Sequence, residues 1–333
     1  MHISLSELER QMASVFEANG VPATAALSVA KSLVAAEAAG QSGHGLRRVQ
    51  AYVAQARSGK LKADADVVVT QPRPSMLSID AGLGFAYPAI DIAIDRLVPV
   101  AKSQGIAAAA IHRSHHAGVL ALTVERFAEK GLIALMFANA PTSMAPWGGR
   151  RPLFGTHPIA FGLPVTGQEP IIIDLALSKV ARGKVMEAHQ KRTPIPDDWA
   201  LDPDGNPTTD ATTALVGTMA PAGGAKGAAL ALMVEVLSAS LSGANYSFEA
   251  SSLFDDQGPA PALDHFIIAI DPCAAAGERV NSRIQLLAEE MSPEEGVRLP
   301  GRRGLGLRAL ALQNGLEVDD SLMQAIEKLI VHH

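Results

Sequence analysis

From Leu5 onward the apolar positions fall at helical spacing, with Leu5, Leu8, Met12, Val15 and Phe16 on one face. Ser4 and Glu7 have capping-box spacing ahead of that run, and Asn19-Gly20 ends it. A second helix is expected from about Thr24 to Ala39, with Val29, Leu33, Val34 and Ala36 inward. Gly40-Gln41-Ser42-Gly43 breaks it, and a third helix starts near His44 and carries Leu46, Val49, Tyr52, Val53 and Ala56.

The period then changes. Val67–Val69 and Met76–Ile79 read as strands, with Pro72 and Pro74 marking the turn between them. Helices over 89–102 and 119–130 alternate with strands over 106–111, 133–139, 159–163 and 171–174. Residues 193–212, rich in Pro, Asp and Thr, read as a long surface loop. Gly227–Ser242 is so uniformly apolar that a helix packed on both sides is expected. A strand over 266–271 and closing helices, including 277–291 and 319–329, finish the chain. The pattern predicts an α/β (α+β) fold: a helical segment over 1–65, a mixed-sheet core over 66–272, and C-terminal helices over 273–333 that pack back on the N-terminal lobe.

Composition narrows the partners. The 333 residues are 48% apolar and 19% charged, which is globular rather than disordered. A net charge of -6 and 4% aromatic residues argue against a nucleic-acid partner. One cysteine, Cys273, excludes an internal disulfide and any zinc site needing two cysteines. No stretch approaches the ~20 apolar residues of a membrane span. The N-terminus lacks a basic-then-apolar leader, so a cytoplasmic location is expected. His332 and His333 receive no function.

The Rossmann fingerprint is absent: Gly82-Leu83-Gly84-Phe85-Ala86-Tyr87 lacks the third glycine, and Gly301–Gly306 follows no clear strand. Gly223-Gly224-Ala225-Lys226-Gly227 opens a helix without Walker spacing. It is either an anion cradle at a helix N-terminus or an ordinary glycine-rich start. His44 precedes Arg47 and Arg48. A histidine titrating near neutrality can exchange a proton with a carbonyl oxygen, and a guanidinium can clamp a carboxylate. Residues four apart on a helix share a face, so His44 and Arg48 can address one small acid, although a capping histidine with two solvated arginines reads equally simply. Ile111-His112-Arg113-Ser114-His115-His116-Ala117-Gly118 lies between a strand and a helix, where α/β proteins place ligand sites. Its histidines, with Asp174, also allow a metal-dependent hydrolase or lyase, but no His-Glu-x-x-His spacing supports that.

Together these segments resemble the type-2 malate/L-lactate dehydrogenases, a family of NAD(P)-dependent 2-oxoacid reductases. The resemblance rests on Gly43-His44-Gly45-Leu46-Arg47-Arg48, Ser114-His115-His116, Ala145-Pro146-Trp147-Gly148-Gly149 and Pro152–Phe161. It continues through Asp174-Leu175-Ala176, Gly183-Lys184-Val185, Pro221–Gly227 and Leu299-Pro300-Gly301. It implies a fold without the Rossmann fingerprint, a homodimer, NAD or NADP as cofactor, a small 2-oxoacid as substrate, and no metal. It places the acid/base histidine on His44, and the proton-transfer histidine of the ureidoglycolate branch on His116. The substrate arginine falls on Arg48 and a substrate-contacting threonine on Thr156. Cofactor-binding stretches fall on His116, Ala117, Gly118, Val119 and Leu120; on Asp174, Leu175 and Ala176; on Lys226; and on Gly301, Arg302 and Arg303.

Three departures qualify the match. The cyclic-imine-reducing branch has Ser before the histidine and Asp at the position of Lys184; Gly43 and Lys184 remove the relay that would tune His44 there. His157 stands where the family usually has Asn. The block Asp174–Lys184 is similar to the sulfolactate dehydrogenase branch. The implied reaction is hydride transfer between nicotinamide and C2 of a 2-oxoacid or 2-hydroxyacid. Reduction of Δ1-piperideine- or Δ1-pyrroline-2-carboxylate, or ureidoglycolate oxidation, is the alternative within the family. Arg113, Lys179, Arg182, Arg302 and Arg303 are each candidates for a 2′-phosphate.

Overall fold

The computed structural model describes residues 1–291 and 296–330; His332 and His333 lie outside the described residues. In chain order the elements are β1 (His2–Ile3), α1 (Leu5–Glu17), α2 (Ala23–Ala38), α3 (Val49–Ser58), β2 (Val68–Arg73), β3 (Met76–Asp80), α4 (Ala86–Gln104) and β4 (Ile106–Ser114). There follow α5 (Leu120–Ala128), β5 (Ile133–Ala138), β6 (Ile159–Leu163), β7 (Ile171–Leu175), α6 (Arg182–Lys191), β8 (Ala200–Leu201), α7 (Ala211–Val216), β9 (Thr218–Met219) and α8 (Ala225–Glu235). The last are β10 (Leu263–Ile270), α9 (Cys273–Ala276), α10 (Arg279–Glu290), α11 (Arg302–Asn314), β11 (Leu316–Glu317) and α12 (Asp320–Glu327).

The central sheet has seven strands in the order β2-β3-β4-β10-β5-β6-β7. Only β3 and β4 run parallel, joined through α4; every other neighbouring pair is antiparallel. This is the mixed α/β core expected, and its antiparallel pairing explains why no Rossmann fingerprint is needed. One core packs α4 and α5 on the sheet through Ile90, Ile94, Leu97, Val124 and Phe127. The opposite face is covered by α7, α8 and the 193–212 segment. A helical lobe buries Leu8, Met12, Phe16, Leu33, Tyr52 and Val53 together with Val318, Met323 and Ile326 from the C-terminus. Strands β1 and β11 pair His2 with Glu317, tying the two chain ends.

Several local expectations need correction. Ser4 caps α1 by accepting from the Glu7 N–H at 3.3 Å, but the Glu7 carboxylate turns to Arg10 and Gln11 instead of closing the box. Strand β2 runs through Pro72, which its edge position and a register shift allow. The third helix begins at Val49: His44 and Arg48 sit in two separate 3-10 turns, Ser42–His44 and Leu46–Arg48. Gly45 separates the turns, because a Cβ there would run into the Glu37 carboxylate that accepts from the Leu46 N–H. Residues 193–212 run mostly as exposed loop, as expected, but Ile195 and Ala200 are buried and the two-residue β8 within it pairs with β9. The 227–242 helix is not packed on both sides. Leu230, Leu232, Met233, Val236 and Leu241 are exposed, since one chain covers only one face of an all-apolar helix.

Candidate active site

The site forms where the helical lobe meets the C-terminal end of β4. At that end Arg113 takes a positive φ of 52°. A non-glycine residue in this conformation costs on the order of 1–3 kcal/mol, so the surroundings must hold it. They do: the Arg113 N–H donates to Asp264 Oδ1 at 3.1 Å, and its carbonyl accepts from the Leu83 N–H at 2.7 Å. The turn sends the next two histidines in different directions. His115 is buried against Tyr52 and Phe85, and its carbonyl oxygen lies 3.0 Å from His265 Nε2. His116 reaches the lobe.

There His116 Nε2 lies 3.2 Å from His44 Nδ1, the rings stacked at 5.1 Å between centroids. His116 Nδ1 lies 2.7 Å from the Tyr52 hydroxyl, which lies 3.2 Å from the Tyr87 hydroxyl. Gly118 has a φ of 68°, and a Cβ there would stand 2.6 Å from Tyr87 Oη. Glycine is therefore required at this turn on two counts. Arg48 donates through Nε to the Gly43 carbonyl at 2.8 Å, and its guanidinium lies 4.9 Å from the centre of the Phe254 ring. The loop bearing Phe254 is pinned by Lys60, whose buried ammonium donates to Ser252 O at 2.7 Å and Asp255 O at 3.0 Å. Gln55 Nε2 adds a bond to Asp255 O at 2.9 Å.

Burial, and then the Arg48 charge, push His44 down to about 4. The same two causes hold His116 well below its ordinary value, with its histidine neighbours adding to them. Both rings are therefore neutral at pH 7, with a ring nitrogen open to a proton but an environment that does not let the charge stay. Burial pushes Tyr52 up to about 12 and holds Tyr87 well above its ordinary value. Behind the turn, burial pushes Asp264 up to about 8, against the Arg113 N–H. Proton-exchanging groups whose environments shift them this far are a hallmark of functional sites.

A second cluster gathers at the end of β7. The Asp174 carboxylate accepts from the Ala121 N–H in the first turn of α5 at 2.8 Å, joining 174–176 to 116–120. The Leu177 carbonyl accepts from the Ala222 N–H at 2.7 Å, bringing in the glycine-rich start of α8 and Lys226. Pro300 O accepts from the Ile172 N–H at 3.2 Å, and a Cβ on Gly301 would lie 2.8 Å from Ile172 Cβ, so the start of α11 joins too. Thr156 O accepts from the Leu177 N–H at 2.8 Å, setting Thr156 on the same strand end. The neighbouring His157, with a φ of 45°, is buried against Glu235, which also takes the Ser247 N–H and hydroxyl.

Of the cations expected near a phosphate, Arg113 pairs with Asp80, Lys179 with Asp198, Arg302 with Glu169, and Arg182 donates to Leu215 O. Arg303 is exposed and makes no ion pair among the described residues. His112 lies 3.3 Å from Ser78 Oγ, and no group of three or more His, Cys, Asp or Glu could hold a metal among the described residues. Tyr52, Tyr87, Phe254 and Lys60 were not marked by the sequence as site residues. Tyr52 carries a signal, standing one turn after Arg48. Tyr87, Phe254 and Lys60 arrive only through tertiary packing.

Residues 3–327 match the model of the malate/L-lactate dehydrogenase family. The chain is 50% identical over 306 residues to a (2R)-3-sulfolactate dehydrogenase (NADP(+)) of Chromohalobacter salexigens, covering 92% of this chain and 91% of that protein. It is 37% identical over 331 residues to a Δ1-pyrroline-2-carboxylate/Δ1-piperideine-2-carboxylate reductase of Pseudomonas putida, covering 99% and 97%. Among solved structures, a Δ1-piperideine-2-carboxylate reductase of Pseudomonas syringae superposes with a TM-score of 0.92 at 36% identity, covering 99% of each chain. A sulfolactate dehydrogenase of Methanocaldococcus jannaschii gives 0.90 at 28% identity, covering 99% of this chain and 96% of that one.

Proposed function

The chain belongs to the malate/L-lactate dehydrogenase family, and on that premise we propose that it is an NADP-dependent 2-hydroxyacid dehydrogenase acting on a small acid of the sulfolactate type. The observation that carries the reading is the contact of His44 with His116 beside the Arg48 guanidinium. The 50% identity to the sulfolactate enzyme supports the substrate class and NADP.

The residues present fit a dinucleotide. The starts of α5, α8 and α11 converge on the end of β7; Asp174 takes up the first N–H groups of α5, while the first turns of α8 and α11 present backbone N–H groups beside exposed Lys226 and Arg303. His116, Ala117, Gly118, Val119 and Leu120, with Asp174, Leu175 and Ala176, would hold it from α5 and β7, and Gly301 and Arg302 from α11. When bound, the nicotinamide supplies hydride transfer at C2. The chain supplies the rest. Arg48 holds the carboxylate, Thr156 contacts the substrate, and His44, backed by His116, takes the proton from the C2 hydroxyl or returns it to the carbonyl oxygen. Placement of these groups before the reaction is where most of the protein's contribution lies.

The exposed Leu230 and Met233 on α8 and Val236 directly after it, at three-residue spacing, are the face on which a homodimer would close. A cytoplasmic location belongs to the same proposal; among the described residues no helix is long and apolar enough to cross a membrane.

The test is a panel of sulfopyruvate, oxaloacetate, pyruvate, 2-oxoglutarate and Δ1-piperideine-2-carboxylate with NADPH and NADH, followed by loss of reduced-nicotinamide absorbance. Turnover of an open-chain oxoacid with NADPH is expected. Turnover of the cyclic imine alone would replace the reading with imine reduction, despite Gly43 and Lys184.

A further inference from the structure

We propose that Tyr52 and Tyr87 form a proton-conducting chain that links the His44–His116 pair to a charged cavity on the far side of the turn; the proposal rests on the acid/base reading of the two histidines. The chain is continuous in the structure. His44 Nδ1 to His116 Nε2 is 3.2 Å, His116 Nδ1 to Tyr52 Oη is 2.7 Å, and Tyr52 Oη to Tyr87 Oη is 3.2 Å. Tyr87 then forms part of the wall of a cavity of about 580 Å³ between α2, α4, α5 and α11.

The cavity suits protons better than a dinucleotide. Asp91, Asp95, Glu125 and Glu129 line it against Lys31, Arg126 and Arg308, and both arginines are already paired, with Asp91 and Glu125. Acidic side chains outnumber free cations, so phosphate is disfavoured, whereas water and carboxylates accept protons readily. A route of this kind answers a need of the site. Burial and Arg48 hold both histidines low, so a proton delivered there does not rest on either ring. Burial equally opposes a tyrosinate at Tyr52 or Tyr87, so each hydroxyl must gain one proton as it gives up another.

The steps balance. During oxidation the C2 hydrogen leaves as hydride to NADP, and the hydroxyl proton goes to His44 Nε2 as the carbonyl forms. The His44 Nδ1 proton passes to His116 Nε2, and the His116 Nδ1 proton to Tyr52 Oη. The Tyr52 proton passes to Tyr87 Oη, and the Tyr87 proton to water in the cavity. Every ring and hydroxyl ends with the number of protons it began with, and reduction runs the sequence backwards.

Stopped-flow mixing of enzyme, NADP and (2R)-3-sulfolactate, with a pH indicator beside reduced-nicotinamide absorbance, separates hydride transfer from proton release. Tyr87→Phe, which keeps the ring, is expected to delay release by about 10²-fold relative to wild type, with imidazole buffer restoring it. Tyr52→Phe breaks the chain one link earlier and gives the same lag, which decides the matter if Tyr87→Phe does not fold. In cofactor-free protein with 15N-labelled histidine, water exchange of the His116 ring proton slows by the same order in Tyr87→Phe. Release in step with hydride transfer and unaffected by imidazole, whether turnover is normal or slow, overturns the relay and leaves Tyr87 a packing residue. Wild-type enzyme that oxidises no 2-hydroxyacid overturns the functional reading, and the relay with it.

Discussion

His44 and His116 come from elements 72 positions apart in the chain, yet their ring nitrogens stand 3.2 Å from one another with Arg48 close enough to depress both. A base that is neutral at pH 7 and stays neutral well into the acid range follows from that placement. The pH profile of kcat/KM for hydroxyacid oxidation should hold its plateau below pH 6.5 and fall only toward pH 4, where His44 gains its proton. A midpoint at 6.5 would show an unperturbed histidine.

Stability should follow the same groups. His44, His115, His116 and His265 all have folded-state values below the unfolded 6.5, at about 4 for His44, about 3 for His115 and about 4 for His265. The unfolded chain therefore binds more protons in this window, and stability, fully present above pH 6.5, is lost as pH falls toward 4. Thermal melts between pH 7.5 and 4.5 should show Tm falling steadily below pH 6.5, and His265→Gln should flatten that slope. A Tm independent of pH over this range contradicts the buried-histidine picture.

Phe254 lies under the Arg48 guanidinium and is held there by the Lys60 clamp. Removing the ring loosens the carboxylate clamp without touching the proton path. Phe254→Ala should raise KM for the hydroxyacid by roughly tenfold, as expected for a cation–π contact of about 1 kcal/mol or more, while kcat changes little. Phe254→Tyr should restore KM. Steady-state kinetics on the two variants checks this.

Arg303 is the arginine at the start of α11 without an ion pair among the described residues, in contrast to Arg302, which Glu169 engages. Arg303→Ala should weaken NADPH binding by about tenfold or more and leave NADH binding nearly unchanged. Titration of each nucleotide by fluorescence tests this; equal losses for both would remove Arg303 from the 2′-phosphate.

The mixed core was legible because helical and strand periods alternate plainly from Met76 to Ile173, and those elements lie where expected to within a few residues. Helices α6 and α7 were not, since Arg182–Lys191 carries only one fully buried side chain, Val185, and so shows no apolar stripe. The helical link between His44 and Arg48 that the spacing predicts fails in the fold, because Gly45 leaves helical geometry at φ -97° and ψ -136°. Candidate residues His44, Arg48 and His116 came from motifs, yet their mutual contact depends on the lobe docking on β4, which no local pattern encodes. Phe254 lies in no motif, and Tyr87 only closes the incomplete Gly82–Tyr87 fingerprint, so tertiary packing alone brings both to the site.

Turnover of His44→Ala and His116→Ala with (2R)-3-sulfolactate and NADP, measured alongside nucleotide binding, is the direct test of the paired histidines as the acid/base of the reaction. Each variant should lose about 10²–10⁴-fold in kcat, with nucleotide affinity retained for His44→Ala. Near-normal turnover in both variants would contradict it.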